Sequence, residues 1–284
     1  MTKAKQVAVI TGAASGIGFA LAQNCLREGM RVVLADHDEK ALACACRKLY
    51  EQEANEFIAV VCDVTQSKDV LRLSEQILSD FARIDLLINN AGICGEFAPV
   101  WELSDHQIQR VLDVNLYGII HGLQVFLPLL FKQNHRSHVV NMASFYGLCS
   151  GSQMAAYSMS KHAVVALTES LHFDLCRLEK NVDVSVVCPS FVSTQLLANS
   201  APAAHNTLHQ MMSALIERSR PAEDVARHIL REIKNKTFYI LPDKEIKNDY
   251  EQCAQAVIQQ TDPYPHSLEK VMVALSKRAQ KNKC

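Results

Sequence analysis

The sequence predicts an α/β fold, a doubly wound parallel sheet of seven strands with helices on both faces. From the N-terminus to Cys188, short runs rich in Val and Ile alternate with longer helical patterns, the signature of successive βαβ units. The strand runs lack polar alternation, as strands covered on both faces do. A glycine-rich turn joins the first run to the first helix, at the strand end where such a sheet opens its ligand crevice.

In chain order, residues 7–10, 32–35, 57–62, 84–89, 138–142 and 182–188 read as six strands. Helical periodicity fits 17–27, 39–53, 68–82, 105–132 and 153–179. Right-handed crossovers between these units then require the doubly wound arrangement. Residues 193–220 have few β-branched positions and read as a loop with short helices and no strand. A stretch of that length inside a compact domain is usually functional, so a mobile substrate lid is expected there. Pro221 starts a further helix, and 237–241 reads as the seventh strand. Beyond it comes a helical extension, 243–284, whose end reads as an amphipathic turn or two (Leu268, Val271, Leu275) running into basic residues. Such a tail binds a membrane surface or packs on the body; packing is the expectation. The whole chain, 1–284, is expected to be a single Rossmann-type domain.

Composition narrows the function classes. With 49% hydrophobic and 21% charged residues over 284 positions, the chain buries a large core. A net charge of −1 supplies no basic field for nucleic acid. No apolar run reaches the ~18 residues of a membrane span, so integral membrane association is not expected. Lys3 and Lys5 before an apolar stretch imitate a secretory leader, but Thr11, Gly12, Ser15, Gly16 and Gly18 interrupt it. The ten cysteines form no C-x-x-C and most sit in apolar runs, pointing to a reducing cytoplasm. The histidine pairs 135/138 and 205/209 lack companion ligands, so no metal is expected.

The first strand runs into Thr11-Gly12-Ala13-Ala14-Ser15-Gly16-Ile17-Gly18. Glycines there permit a tight turn and a close approach of backbone N–H groups to a pyrophosphate at a helix N-terminus. Asp36 ends the second strand where an acidic residue hydrogen-bonds a ribose, or else caps the next helix, a task open to Asp38 as well. Tyr157 and Lys161 share one helix face, and Ser144 at the end of the fifth strand faces the same crevice.

Those segments, with Asn89-Asn90-Ala91-Gly92 and Asn115, resemble the short-chain dehydrogenase/reductase family, in detail over residues 5–195. The resemblance implies an NAD(P)-dependent oxidoreductase that transfers a hydride between nicotinamide and a secondary alcohol or ketone. It implies Gly12, Ser15, Gly16, Ile17 and Gly18 at the pyrophosphate, Asp36 at the adenosine ribose, and Asp63 and Val64 at the adenine. Asn90, Ala91 and Gly92 would line the ribose side, while Pro189, Val192 and Thr194 would fix the nicotinamide carboxamide. The catalytic set is Asn115, Ser144, Tyr157 and Lys161, with Asn115 supporting a water between Lys161 and solvent. Ser190 stands where the family usually has Gly. The hydrophobic-Asp-Gly-Gly ending of many 3-oxoacyl carrier protein reductases is missing; the chain continues Pro242-Asp243-Lys244-Glu245.

Hydride transfer to a ketone leaves an alkoxide that needs a proton. Tyrosine's reference pKa of about 10 lies too high for that exchange at neutrality, and lowering it costs roughly 4 kcal/mol. An ammonium ~4 Å away at an effective dielectric near 20 supplies that much. Lys161 is therefore expected to lower the Tyr157 pKa and to hold the nicotinamide ribose, with Ser144 hydrogen-bonding the substrate oxygen.

Asp36 would repel a 2′-phosphate, so NAD(H) is favoured, with NADP(H) left open. Ile93, Phe97, Phe145, Tyr146, Leu148, Phe191, Leu196, Leu197, Met211, Met212 and Leu215 offer an apolar pocket, and the expected partner is a medium-sized apolar alcohol or ketone. The helices at 105–132 and 153–179 resemble those through which family members form homodimers and homotetramers. A non-catalytic dinucleotide-binding regulator is the alternative, opposed by the intact Asn115, Ser144, Tyr157 and Lys161.

Overall fold

The computed structural model describes residues 5–194, 196, 213, 214 and 216–281. Strands β1 (Val7–Thr11), β2 (Arg31–Asp36), β3 (Phe57–Val61), β4 (Leu86–Asn89), β5 (Ser137–Met142), β6 (Val182–Val187) and β9 (Tyr239–Ile240) form one sheet. Its order is β3-β2-β1-β4-β5-β6-β9, and every pairing is parallel. The order reverses between β1 and β4, which opens the crevice at their carboxyl ends.

Both faces of the sheet are buried, and alternate residues of one strand serve different cores. Ala8 and Ile10 of β1 join Leu34, Ile88 and Val140 beneath α1 (Gly16–Arg27), α2 (Glu39–Glu51) and α7 (Ala222–Lys234). Val7 and Val9 join Val33, Leu87 and Val139 beneath α3 (Ser67–Phe81), α5 (Gly118–Leu130) and α6 (Ala155–Arg177). That is the period-two rule with both faces covered, and it explains the unbroken apolar runs.

Four expectations need correction. The helix at 105–132 is not uniform: α4 (Asp105–Leu112) passes through a π turn, Asp113–Tyr117, before α5. Asp105–Leu130 is also, by length and composition, long and apolar enough to cross a membrane, contrary to the reading that no run reaches that limit. Here Ile119, Leu123 and Phe126 of that stretch lie in the core. The loop 193–220 is pinned at both ends by a strand pair, β7 (Val192–Ser193) against β8 (Arg220–Pro221), so Pro221 closes a strand and α7 begins at Ala222. Finally, beyond α8 (Lys244–Gln259) the end of the helical extension is a full helix, α9 (Ser267–Lys281), where a turn or two was expected. Most of the expected lid lies outside the described residues.

At the amino ends of β1 and β4, the Asp85 carboxylate, 6% exposed, accepts from Val7 N–H at 2.8 Å and from Arg83 Nε–H at 2.8 Å. Removing it leaves a buried donor and an unpaired cation. Asp85→Ala is expected to cost about 3 kcal/mol in urea unfolding; a loss within experimental error would show that this clamp carries no weight.

Candidate active site

The cleft is built first by the turn after β1. Gly12 has φ +63, and a Cβ there would stand 2.8 Å from Ala91 Cα. A Cβ on Gly18 would stand 2.2 Å from the Gly12 carbonyl oxygen, so the helix lies against its own entry turn only because both positions are glycine. Asn90 donates through Nδ2 to Thr11 O (2.9 Å) and Gly12 O (3.1 Å), while Thr11 Oγ1 accepts from the N–H groups of Asn90 and Ala91. The β1 and β4 turns are thereby locked together. Ser15 occupies the N-cap of α1 without a side-chain capping bond, and the first turn holds no acidic residue. Such a helix start suits a pyrophosphate. Gly16 and Ile17 line the same cleft.

At the far end, Asp38 caps α2 through the N–H groups of Lys40 and Ala41, which frees Asp36 from that task. Asp36 Oδ2 accepts from Ala14 N–H at 3.0 Å and Oδ1 from Asp38 N–H at 3.2 Å, so the carboxylate is fixed beside the glycine turn. His37 Nδ1 stands 3.2 Å from it. Asp63 is held by Thr65, whose N–H and hydroxyl both donate to Oδ1, and neighbouring Val64 lines the cleft. These groups give this end of the cleft a hydrogen-bond acceptor, an apolar wall and a polar end.

The four catalytic candidates come from different elements and converge. Ser144 follows β5 in extended conformation and lines the cleft with Tyr157 of α6. Its Oγ also accepts from Tyr146 N–H at 3.2 Å. Lys161, one turn beyond Tyr157, is 3% exposed; its Nζ donates to Met142 O at 2.9 Å and lies 5.7 Å from the Tyr157 ring centre. A Cβ on Gly92 would stand 3.5 Å from that Nζ and 3.2 Å from Asn115 Oδ1, so glycine keeps the site open to both. Asn115 sits in the π turn, a distortion frequent at functional sites. Its Oδ1 accepts from Ile93 N–H (2.8 Å), and its Nδ2 donates to Ile93 O (2.9 Å) and Ser160 Oγ (3.0 Å). Asn115 thus holds the 90–93 turn against α6.

Burial dominates the electrostatics. It drives the Tyr157 phenol well above its ordinary value, against a smaller lowering by the Ser144 hydrogen bond. The same desolvation lowers the Lys161 ammonium from the usual 10.5 to about 8. Burial thus disfavours both charged forms, the Tyr157 phenolate and the Lys161 ammonium, at this site.

Pro189, Val192 and Thr194 line the cleft beyond β6. Ser190 does not disturb the path: its N–H donates to Asp243 Oδ2 at 3.0 Å, and it is not among the residues with positive φ. Asp243, overlooked in sequence, also pairs with Arg220 at 3.4 Å.

The cleft encloses about 670 Å³ and is continuous from Asp36 to the apolar end. Ile93, Phe97, Phe145, Tyr146, Phe191 and Leu196 line it as expected, whereas Leu148 packs into the core instead. Leu197, Met211, Met212 and Leu215 lie outside the described residues. Sequence reasoning missed Cys94, Met154, Ile216 and Leu268 at the apolar end, His106, Gln109 and Arg110 from α4, and Asp113 from the π turn.

Residues 6–205 match the family model for short chain dehydrogenase. The chain is 30% identical over 282 residues to a CLA biosynthesis dehydrogenase/reductase of Lactiplantibacillus plantarum, which covers 94% of this chain and 98% of that protein. It is 33% identical over 244 residues to 1-deoxy-11-beta-hydroxypentalenate dehydrogenase of Streptomyces exfoliatus, with 85% and 84% covered. A crystal structure of a short chain dehydrogenase/reductase from Burkholderia phymatum in complex with NAD has a TM-score of 0.86 and 35% identity, over 93% of this chain and 98% of that one. Similarity of this extent, in sequence and in backbone, makes the chain a member of the short-chain dehydrogenase/reductase family, an oxidoreductase that exchanges hydride between a nicotinamide dinucleotide and a carbon bearing a hydroxyl group.

Proposed function

We propose that the protein interconverts an apolar, medium-sized secondary alcohol and its ketone with NAD(H), using Tyr157 as acid and base. The observation that carries this reading is the convergence of Ser144, Tyr157 and buried Lys161 on one cleft, at the point where the dinucleotide side meets an apolar chamber. The relative from Streptomyces exfoliatus, named for a hydroxypentalenate, supports an alcohol as the reacting group.

When bound, the oxidised dinucleotide accepts the hydride and brings a positive charge to this chamber. Ser144 Oγ, with Tyr146 N–H already fixed on it, turns its own proton to the substrate oxygen as charge develops there. Tyr157, kept protonated by burial, donates its proton to a forming alkoxide; in oxidation it takes the alcohol proton once cationic charge offsets the desolvation. Lys161 supplies part of that charge and reaches the nicotinamide ribose. Asn115 is a positioning residue that fixes the turn over Lys161 and retains one acceptor lone pair for a water leading outward. Residues 1–284 act as one catalytic domain, with 193–220 as the substrate loop. Exposed Tyr117 and Phe131 on one long helical stretch, and Met159 and Phe173 on α6, support a homodimer or homotetramer. The cysteines among the described residues form no disulfide, which suits the cytoplasm.

Asp36 carries a further preference. Its oxygens each accept one backbone N–H and keep lone pairs for ribose hydroxyls, whereas a 2′-phosphate would meet the carboxylate. NAD(H) is expected to bind at least ~10-fold tighter than NADP(H), a difference of about 1.4 kcal/mol. Titration of both dinucleotides at pH 8 measures this; equal affinities would place the phosphate elsewhere.

Tyr157→Phe removes one oxygen and keeps the ring in its apolar cluster with Cys94, Tyr146 and Met154. Turnover of a secondary alcohol is expected to fall at least ~100-fold, with NADH affinity and thermal unfolding unchanged. Near-normal turnover would end the acid–base assignment.

A further inference from the structure

The C-terminal helix α9 docks on the loop between Ser144 and Tyr157. His266, with no exposed surface, holds its Nε2 2.9 Å from Ser150 O, while its Nδ1 accepts from Glu269 N–H at 3.2 Å. Only the neutral tautomer with the proton on Nε2 satisfies both contacts. Its ring stands edge-on to Phe145, with centres 4.8 Å apart. Glu269 Oε2 accepts from Ser152 N–H at 2.7 Å. A Cβ on Gly151 would lie 3.1 Å from that carboxylate oxygen and 2.8 Å from Tyr146 Cε1, so glycine permits the close approach. Asp249 of α8, buried, accepts from Ser267 N–H and from the Ser267 hydroxyl, which ties the two helices together.

These contacts aim one face of α9 at the chemistry. Met272, fully buried, packs in the cluster that contains Tyr146, Met154 and Tyr157. Leu268 lies one turn earlier on the same face, only partly buried, and lines the cleft itself. Met272 is the anchor and Leu268 the surface presented to an occupant.

We propose that α9 is the wall of the substrate subsite and that Leu268 sets the bulk of apolar alcohol accepted beside Tyr157. This rests on the alcohol dehydrogenase reading above and adds a specificity-determining residue to it. In a hydrophobic pocket, one or a few methylene groups change discrimination by about 10- to 200-fold.

The test compares wild type, Leu268→Ala and Leu268→Phe on cyclohexanol and on the fused-ring decahydronaphthol. Calorimetric binding to protein saturated with NADH is measured alongside kcat/KM with NAD. Leu268→Ala is expected to raise the preference for the fused-ring alcohol about 10-fold, and Leu268→Phe to lower it by a similar factor. NADH affinity should not move. Loss of packing alone would weaken both alcohols together and could not give opposite signs in the two variants. Preferences within about twofold of wild type in both variants, or no binding of either alcohol to wild type, overturn the proposal. Binding with the expected preferences but no turnover supports the subsite and refutes the reaction.

Discussion

A buried ammonium organises this protein. Lys161 is 3% exposed, and its one hydrogen bond to the protein among the described residues is to Met142 O. Holding a cation there opposes folding, and desolvation expresses this as a fall from 10.5 to about 8. Below pH 8 the folded and unfolded chains both carry the proton, and the penalty is fully present. Between 8 and 10.5 the unfolded chain binds more protons than the folded one, so stability rises with pH. The difference corresponds to about 3 kcal/mol, a large fraction of a typical domain's margin.

The surroundings show what this strain is for. Met142 O comes from the end of β5, Gly92 from the turn after β4, and Asn115 from a π turn that brings its amide onto that turn and onto Ser160. Beneath them, Asn89 Nδ2 donates to Asn141 Oδ1, and Asn141 Nδ2 donates to Thr168 Oγ1, joining β4, β5 and α6 through buried polar groups. Such hydrogen bonds fix geometry well in a low-dielectric interior. The site therefore rests on rigid strand ends, while the apolar chamber above it is finished by loop and tail.

What was legible in the sequence follows the same division. Strands buried on both faces announce themselves as apolar runs, and Gly12 and Gly18 sit where backbones approach too closely for a side chain. The π turn was not legible, because the apolar pattern from 105 to 130 continues through it and only Asn115, a poor helix former, marks it. The β7–β8 pair is two residues long on each side, below any periodic signal. The role of α9 was hidden because His266, Leu268 and Glu269 act through contacts with Phe145, Ser150 and Ser152, more than a hundred positions away. The burial of Tyr157 and Lys161 was not legible either: distance between charges can be guessed from spacing, but depth of burial cannot.

The measurement that tests this account most directly is the pH dependence of stability of Lys161→Met against wild type, by urea unfolding without cofactor. Methionine fills the same channel with no charge to desolvate, so the variant is expected to be more stable at pH 7. That advantage should shrink by about 3 kcal/mol as the pH is raised to 10.5. A variant less stable than wild type at pH 7, or a difference that does not change with pH, would contradict the claim that the fold holds a desolvated ammonium at this position.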